Sequence, residues 1–168
     1  MPDRCSPCIC LPFRLNNPDT VSSAERIVLE RRAVPTSPAL TLAQAMTILD
    51  AVRGELERTG QGAAAAVVDA HGELIAFLRT DSCPLPPITI AQNKAFTAAR
   101  ERCATRDLGV RSRTEGFPLT YFGDPRYVGW GGGLPIIVGG QVVGGVGVSG
   151  LPEDEDVRIA TLGLAALG

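Results

Sequence analysis

Apolar residues recur at helical spacing from Leu42 through Ala45, Met46, Leu49 and Val52 to Leu56, one face of a helix that runs to about Arg58 and ends at Gly60 and Gly62. Thr41 and Gln44 give it a capping box, a hydroxyl at the N-cap with a glutamine three residues on. The period then shortens. Ala63–Asp69 and Glu73–Arg79 are β-type runs on either side of Ala70, His71 and Gly72, which predicts a hairpin. A proline-rich loop covers residues 81–87, Thr89 opens a helix from Ile90 to about Arg102, and Thr105 caps a short helix through Gly109. Residues 110–128 are irregular. Leu134–Val138 and Gln141–Val148 form a second hairpin pattern around Gly139 and Gly140. A last helix starts after Pro152 with an acidic first turn, which complements the helix dipole, and runs toward Leu167. Upstream, Ile27–Val34 has β-type content, but Glu30, Arg31 and Arg32 restrict it to an edge strand. Hairpins without a parallel crossover predict an α+β sandwich, an antiparallel sheet flanked by helices.

The second hairpin has more glycine than its turn requires. Ten of the nineteen glycines lie between Gly129 and Gly150. Gly144, Gly145 and Gly147 interrupt a strand, where glycine weakens pairing unless a backbone, a helix or a ligand comes close. The stretch therefore predicts a hairpin at the floor of a tightly packed site.

Composition narrows the class. The chain of 168 residues is long enough for one domain, read as 26–168 behind a proline-rich tail at 1–25. A net charge of −2 excludes the basic footprint of a nucleic-acid-binding protein. No run reaches the ~18 apolar residues of a membrane span. Prolines and charges break up the N-terminus where a secretory signal would be apolar, so a cytoplasmic protein is expected. Cys5, Cys8 and Cys10 resemble half of a metal site, yet a tetrahedral site needs a fourth ligand and His71 is the only histidine. The cysteines read as incidental and no metal is expected.

Several chemistries fail on spacing. Glycine fingerprints for nucleotides need a strand before them and a helix after them, whereas Gly131–Gly133 lead into a strand. Ser149 has a glycine on either side at 147 and 150, but the spacing is not that of a nucleophile elbow and no helix follows at once. A hydrolase would also need a histidine base, and His71 lies in a turn. Lys94 stands out: fifteen of the sixteen basic residues are arginine, and the one lysine lies amid small apolar residues on a helix. There it would bind an anion or carry a shifted proton affinity. The acidic run Glu153–Asp156 serves as a first helical turn, or else turns one carboxylate toward Lys94 or Arg79 across a pocket.

Taken together, the segments Leu40–Ala51, Ala65–Asp81, Ile90–Ala99, Gly131–Gly150 and Pro152–Asp156 resemble the GlcG/HbpS-like family, also called the haem-degrading domain and found at the C-terminus of PduO proteins. The resemblance implies a profilin-like fold: a five-stranded antiparallel sheet with helices on both sides, in homo-oligomers. Lys94, Gly131–Gly133, Asp154 and Glu155 lie on the family's recurring motifs, and Lys94, Asp154 and Glu155 are the candidate catalytic residues. Arg79, Asp81, Tyr121, Trp130, Gly131, Gly132 and Gly133 become ligand-binding residues, with haem as the candidate cofactor. The chain departs from the family pattern in its Ser82–Pro87 loop, in Leu151 after Gly150, and in its long extension before Leu40.

Three functions follow from these readings. The first is a small-molecule or haem-binding protein, in which His71, Tyr121, Tyr127 or a cysteine would ligate iron while Lys94 and Arg79 meet propionates. The second is a cofactor-free lyase, isomerase or cyclase acting on a small carbonyl or carboxylate compound. There Lys94 would be the cation or base, Asp154 or Glu155 the proton carrier, and glycine amides the oxyanion donors. The third is a non-catalytic sensor or assembly module whose hairpin edge packs subunits together.

Overall fold

The capping box forms at the start of helix α1 (Leu42–Thr59): Gln44 N–H donates to Thr41 Oγ1 at 3.2 Å and Thr41 N–H donates to Gln44 Oε1 at 3.0 Å. A computed structural model describes residues 39–168, which belong to one unit beginning at Ser37. The order after α1 is β1 (Ala64–Asp69), β2 (Leu74–Arg79), α2 (Pro86–Glu101), α3 (Thr105–Glu115), a 3-10 turn (Leu119–Phe122), β3 (Gly133–Val138), β4 (Gln141–Ser149) and α4 (Glu153–Ala165). Both hairpins form where the sequence predicts them. Asp69 Oδ1 closes the first by accepting from the amides of His71 and Glu73, and Gly139 and Gly140 turn the second with φ of 57° and 77°.

The sheet is antiparallel with strand order β2-β1-β4-β3. Among the described residues it has four strands where five were expected. The two hairpins supply all four, and Ile27–Val34, expected as the further edge strand, lies outside the described residues. So do Cys5, Cys8 and Cys10.

Alternation along β1 sends its side chains into two different layers. Ala65 and Val67 join Val146 and Val148 of β4 against Ile48, Val52 and Leu56 of α1 and Ile159 of α4. Ala64, Ala66 and Val68 face the opposite way, against Ala91, Ala95 and Ala99 of α2. On that side Gly145 and Gly147 meet the α2 backbone directly: a Cβ on either would collide with the carbonyl of Ala95 or Ala91. The extra glycines of the hairpin are therefore a seat for a helix.

Two helix starts differ from the sequence reading. Helix α2 begins at Pro86 rather than Ile90, because proline in a first turn gives up only an amide that has no helical partner anyway. Helix α3 runs past Gly109 to Glu115, and Thr105 is its first residue rather than its cap. The Thr105 hydroxyl is used elsewhere, at the site.

Candidate functional site

Because α2 lies so close to β4, Lys94 reaches past the end of that strand. Its Nζ donates to Val148 O at 2.9 Å and to Asp156 Oδ2 at 2.7 Å. Lys94 belongs to the α2 layer and Asp156 to α4, so the ion pair joins the two helical layers around the end of the sheet. Both residues are buried, at 2% and 3% exposure. The second carboxylate oxygen of Asp156 accepts from Leu151 N–H at 3.1 Å, which holds the turn from β4 into α4. Burial pushes the Asp156 carboxyl above its ordinary value, while the Lys94 ammonium and the Leu151 amide pull it back.

Gly131–Gly133 wrap this pair. Gly132 takes φ of 111°, and a Cβ there would lie 2.8 Å from Asp156 Cβ and 3.0 Å from Lys94 Nζ. Gly131 N–H donates to Glu153 Oε1 at 2.9 Å, and Gly132 O accepts from Val148 N–H at 2.9 Å. Thr105 anchors both flanks: its hydroxyl donates to Trp130 O at 2.6 Å and accepts from Gly133 N–H at 3.0 Å. Arg106, the next residue of α3, reaches Glu153 Oε1 at 2.9 Å and Asp154 Oδ1 at 2.6 Å. The Gly131 amide and then Arg106 hold the Glu153 carboxyl below its usual range.

Above the pair opens a cleft of about 340 Å³, lined by Pro87 and Ile90 of α2, Trp130, Leu151 and Gly150, with Ser149, Lys94, Glu153 and Asp156 at its polar end. Trp130 stands 62% exposed at its rim. Each acid beneath is paired: Asp156 with Lys94, and Glu153 with Arg106, which it shares with Asp154. The floor is polar with its carboxylates paired, suited to hydrogen bonding a small ligand whose body packs on the apolar wall.

The other sequence-selected residues are spread more widely. Of the acidic run, the carboxylate that meets Lys94 is Asp156. Asp154 pairs with Arg106 and is largely exposed, and Glu155 pairs with Arg158 along α4. Arg79 is exposed at the end of β2, in register with Ala64, which pairs in turn with Ser149. Asp81 is exposed in the following turn and does not line the cleft. Tyr121 is exposed on the 3-10 turn, and Tyr127 stacks on Phe122 with ring centroids 4.3 Å apart. His71 sits at the opposite end of β1 from the cleft, its carbonyl accepting from Arg100. Lys94, Trp130 and Gly131–Gly133 are thus brought together, and the remainder are not.

Three roles at the site escaped sequence reading: Asp156 as the member of its acidic run that meets Lys94, Thr105 as an anchor, and Ser149 as a lining residue of the cleft. Helical period held a signal for the first, since Asp156 falls on the same face of α4 as the buried Ile159, Ala160 and Gly163. For Thr105 and Ser149 no local pattern marks the role.

Fold and site together define an α+β domain in which a helix seated on strand glycines carries a buried lysine to an acid beneath a tryptophan-rimmed cleft. The model for the haem-degrading protein HbpS-like family matches residues 40–165, and the chain belongs to that family. Escherichia coli K12 protein GlcG is 33% identical over 114 residues, 68% of this chain and 84% of GlcG. A double mutant of Streptomyces reticuli HbpS superposes with a TM-score of 0.73 at 33% identity, covering 79% of this chain and 90% of that one. A PduOC–haem complex gives 0.72 at 26% identity, covering 77% and 95%. No helix among the described residues is long and apolar enough to cross a membrane.

Proposed function

We propose that this chain binds a small molecule in the cleft between Trp130 and the Lys94–Asp156 pair. One observation carries the reading: the only tryptophan stands exposed over a cleft whose floor is a buried, charge-balanced ion pair. A mostly apolar wall with a few convergent polar groups is the make-up of ligand sites, and about 340 Å³ lies at the lower end of their range of roughly 300–1,000 Å³. The glycines of β4 give the assembly-only reading no support, since Gly145 and Gly147 meet α2 of the same chain. Its other premise, an open hairpin edge, rests on the edge strand β3, which has no partner strand on its outer side among the described residues. A cytoplasmic homo-oligomer remains part of the proposal, and light scattering on the purified protein tests the assembly.

The likeness to PduOC in complex with haem favours haem as a second, more specific reading. Trp130, Ile90 and Leu151 offer a porphyrin an apolar face, but among the described residues no histidine, cysteine, methionine or tyrosine lines the cleft. Lys94 is already engaged by Asp156 and Val148, so it is not a free partner for a propionate. Haem with an axial ligand from this cleft does not fit the residues present. The test is a titration with haemin, following both the Soret band and Trp130 fluorescence. Saturable quenching with a Soret shift supports haem at the cleft, and neither signal above that of a control protein removes it.

A further inference from the structure

Beyond the ion pair, the cleft holds one polar group that the fold leaves idle. Ser149 is 5% exposed and lines the cleft, and its hydroxyl makes no hydrogen bond to another described residue. No buried polar side-chain atom there is left without a partner, so the hydroxyl opens to the cleft. The other buried hydroxyls are engaged: Thr97 Oγ1 donates to Arg126 O and accepts from Val128 N–H, and Thr105 serves Trp130 and Gly133. A hydroxyl that faces the cleft without a protein partner bonds solvent there, and a ligand group entering the cleft can take that bond over.

Its position explains why it is free. On the α2 face of β4, positions 145 and 147 carry no side chain because the helix backbone lies against them. Position 149 is the next on that face and the last of the strand, where the first turns of α2 leave room for the cleft. Ser149 is thus the first side chain that β4 presents to this space. Beside it Lys94 spends two of its three N–H donors on Asp156 and Val148. Both groups donate, while Glu153 and Asp156 are already neutralised by Arg106 and Lys94.

We infer that Ser149 is a ligand-contacting residue, and that the cleft takes a compact, flat molecule whose neutral carbonyl oxygen accepts from the Ser149 hydroxyl while its body packs on Trp130, Ile90 and Leu151. A neutral carbonyl matches a floor carrying two carboxylates and one cation better than an anion does. The inference rests on the Trp130 cleft being a ligand site.

Three probes of equal body separate the possibilities: benzamide with a carbonyl, benzoate with a carboxylate, and benzylamine with a cationic group that accepts nothing. Each is titrated at millimolar concentration against Trp130 fluorescence, in the natural protein and in Ser149→Ala. The expected result is saturable binding of benzamide, tightest of the three, weakened about 3–10-fold in Ser149→Ala, the loss of one neutral hydrogen bond. The variant should melt at the same temperature as the natural protein or slightly above it, because the hydroxyl it loses bonds nothing in the fold. Unchanged benzamide affinity, or a melting temperature several degrees lower, overturns the role of Ser149. Benzoate binding tightest overturns the neutral-carbonyl assignment. A Trp130 response to haemin but to none of the three leaves the cleft as a site and overturns this inference, and no response to any ligand overturns both.

Discussion

Against α1 and α4 the sheet presents mainly valines, and against α2 mainly alanines and glycines. The first face fills its space with Ile48, Val52, Leu56 and Ile159, large side chains interlocking between elements that stay apart. The second has almost no side-chain volume, and the helix backbone fills the gap instead. The difference sets what each face can do. Bulky aliphatics supply transfer free energy, about 25 cal/mol per Å² buried. A glycine seat supplies little of that but brings a helix near enough for Lys94 to pass the strand end and meet an acid of the other layer.

The largest effect should come from closing the gap. Gly147→Val puts a branched side chain where the Ala91 carbonyl lies, and neither backbone has room to yield. A loss of about 4 kcal/mol or more is expected, enough to unfold a domain of ordinary stability. Circular dichroism and melting of the variant check it, and a folded protein with near-natural melting would break the close-contact account.

Next comes the tie between layers. Lys94→Met leaves Asp156 buried and unpaired, which should cost about 3–5 kcal/mol in denaturant unfolding. Adding Asp156→Leu should restore most of that loss, since two apolar residues replace both charges. Additive losses in the double variant would show that the pair is not the connection between α2 and α4. On the aliphatic face, Ile159→Ala should cost about 2–5 kcal/mol through the cavity it opens, while leaving Trp130 fluorescence unchanged. A shifted Trp130 spectrum in that variant would mean that the two faces are not independent.

The smallest effect is a pH dependence at the surface. Arg58 and then Arg158 hold the Glu55 carboxyl at about 2, below its ordinary 4.5. A lowered acid stabilises the fold above its unfolded value, and that contribution fades as pH falls from about 4.5 toward 2. Glu55→Gln should flatten the melting-temperature curve in that window and leave it unaltered near neutrality. An equally steep curve in the variant would assign the acid sensitivity to other groups.

Elements with a local cause were legible from the chain. The capping box of Thr41 and Gln44, the glycine turn at 139–140 and the acidic start of α4 each arise from residues a few positions apart. The start of α2 was not, because the prolines at 86 and 87 read as a loop until a first helical turn accommodates them. The glycines announced a close approach without saying by what. Deciding between a ligand, a subunit and a helix needed α2 in place, a contact about fifty residues away in sequence. Lys94 drew notice by rarity, yet its acid sits 62 positions downstream, and the three other acids of the same run carry the same charge. The face of α4 chose among them.

The chain's one lysine is also the most enclosed cation among the described residues. Reagents that modify primary amines at side chains therefore have a single address, and it is shut while the fold is intact. Acylation of Lys94, followed by mass over time, becomes a clock for the opening of this junction. Its rate measures how often the two layers part, at one residue, without a label.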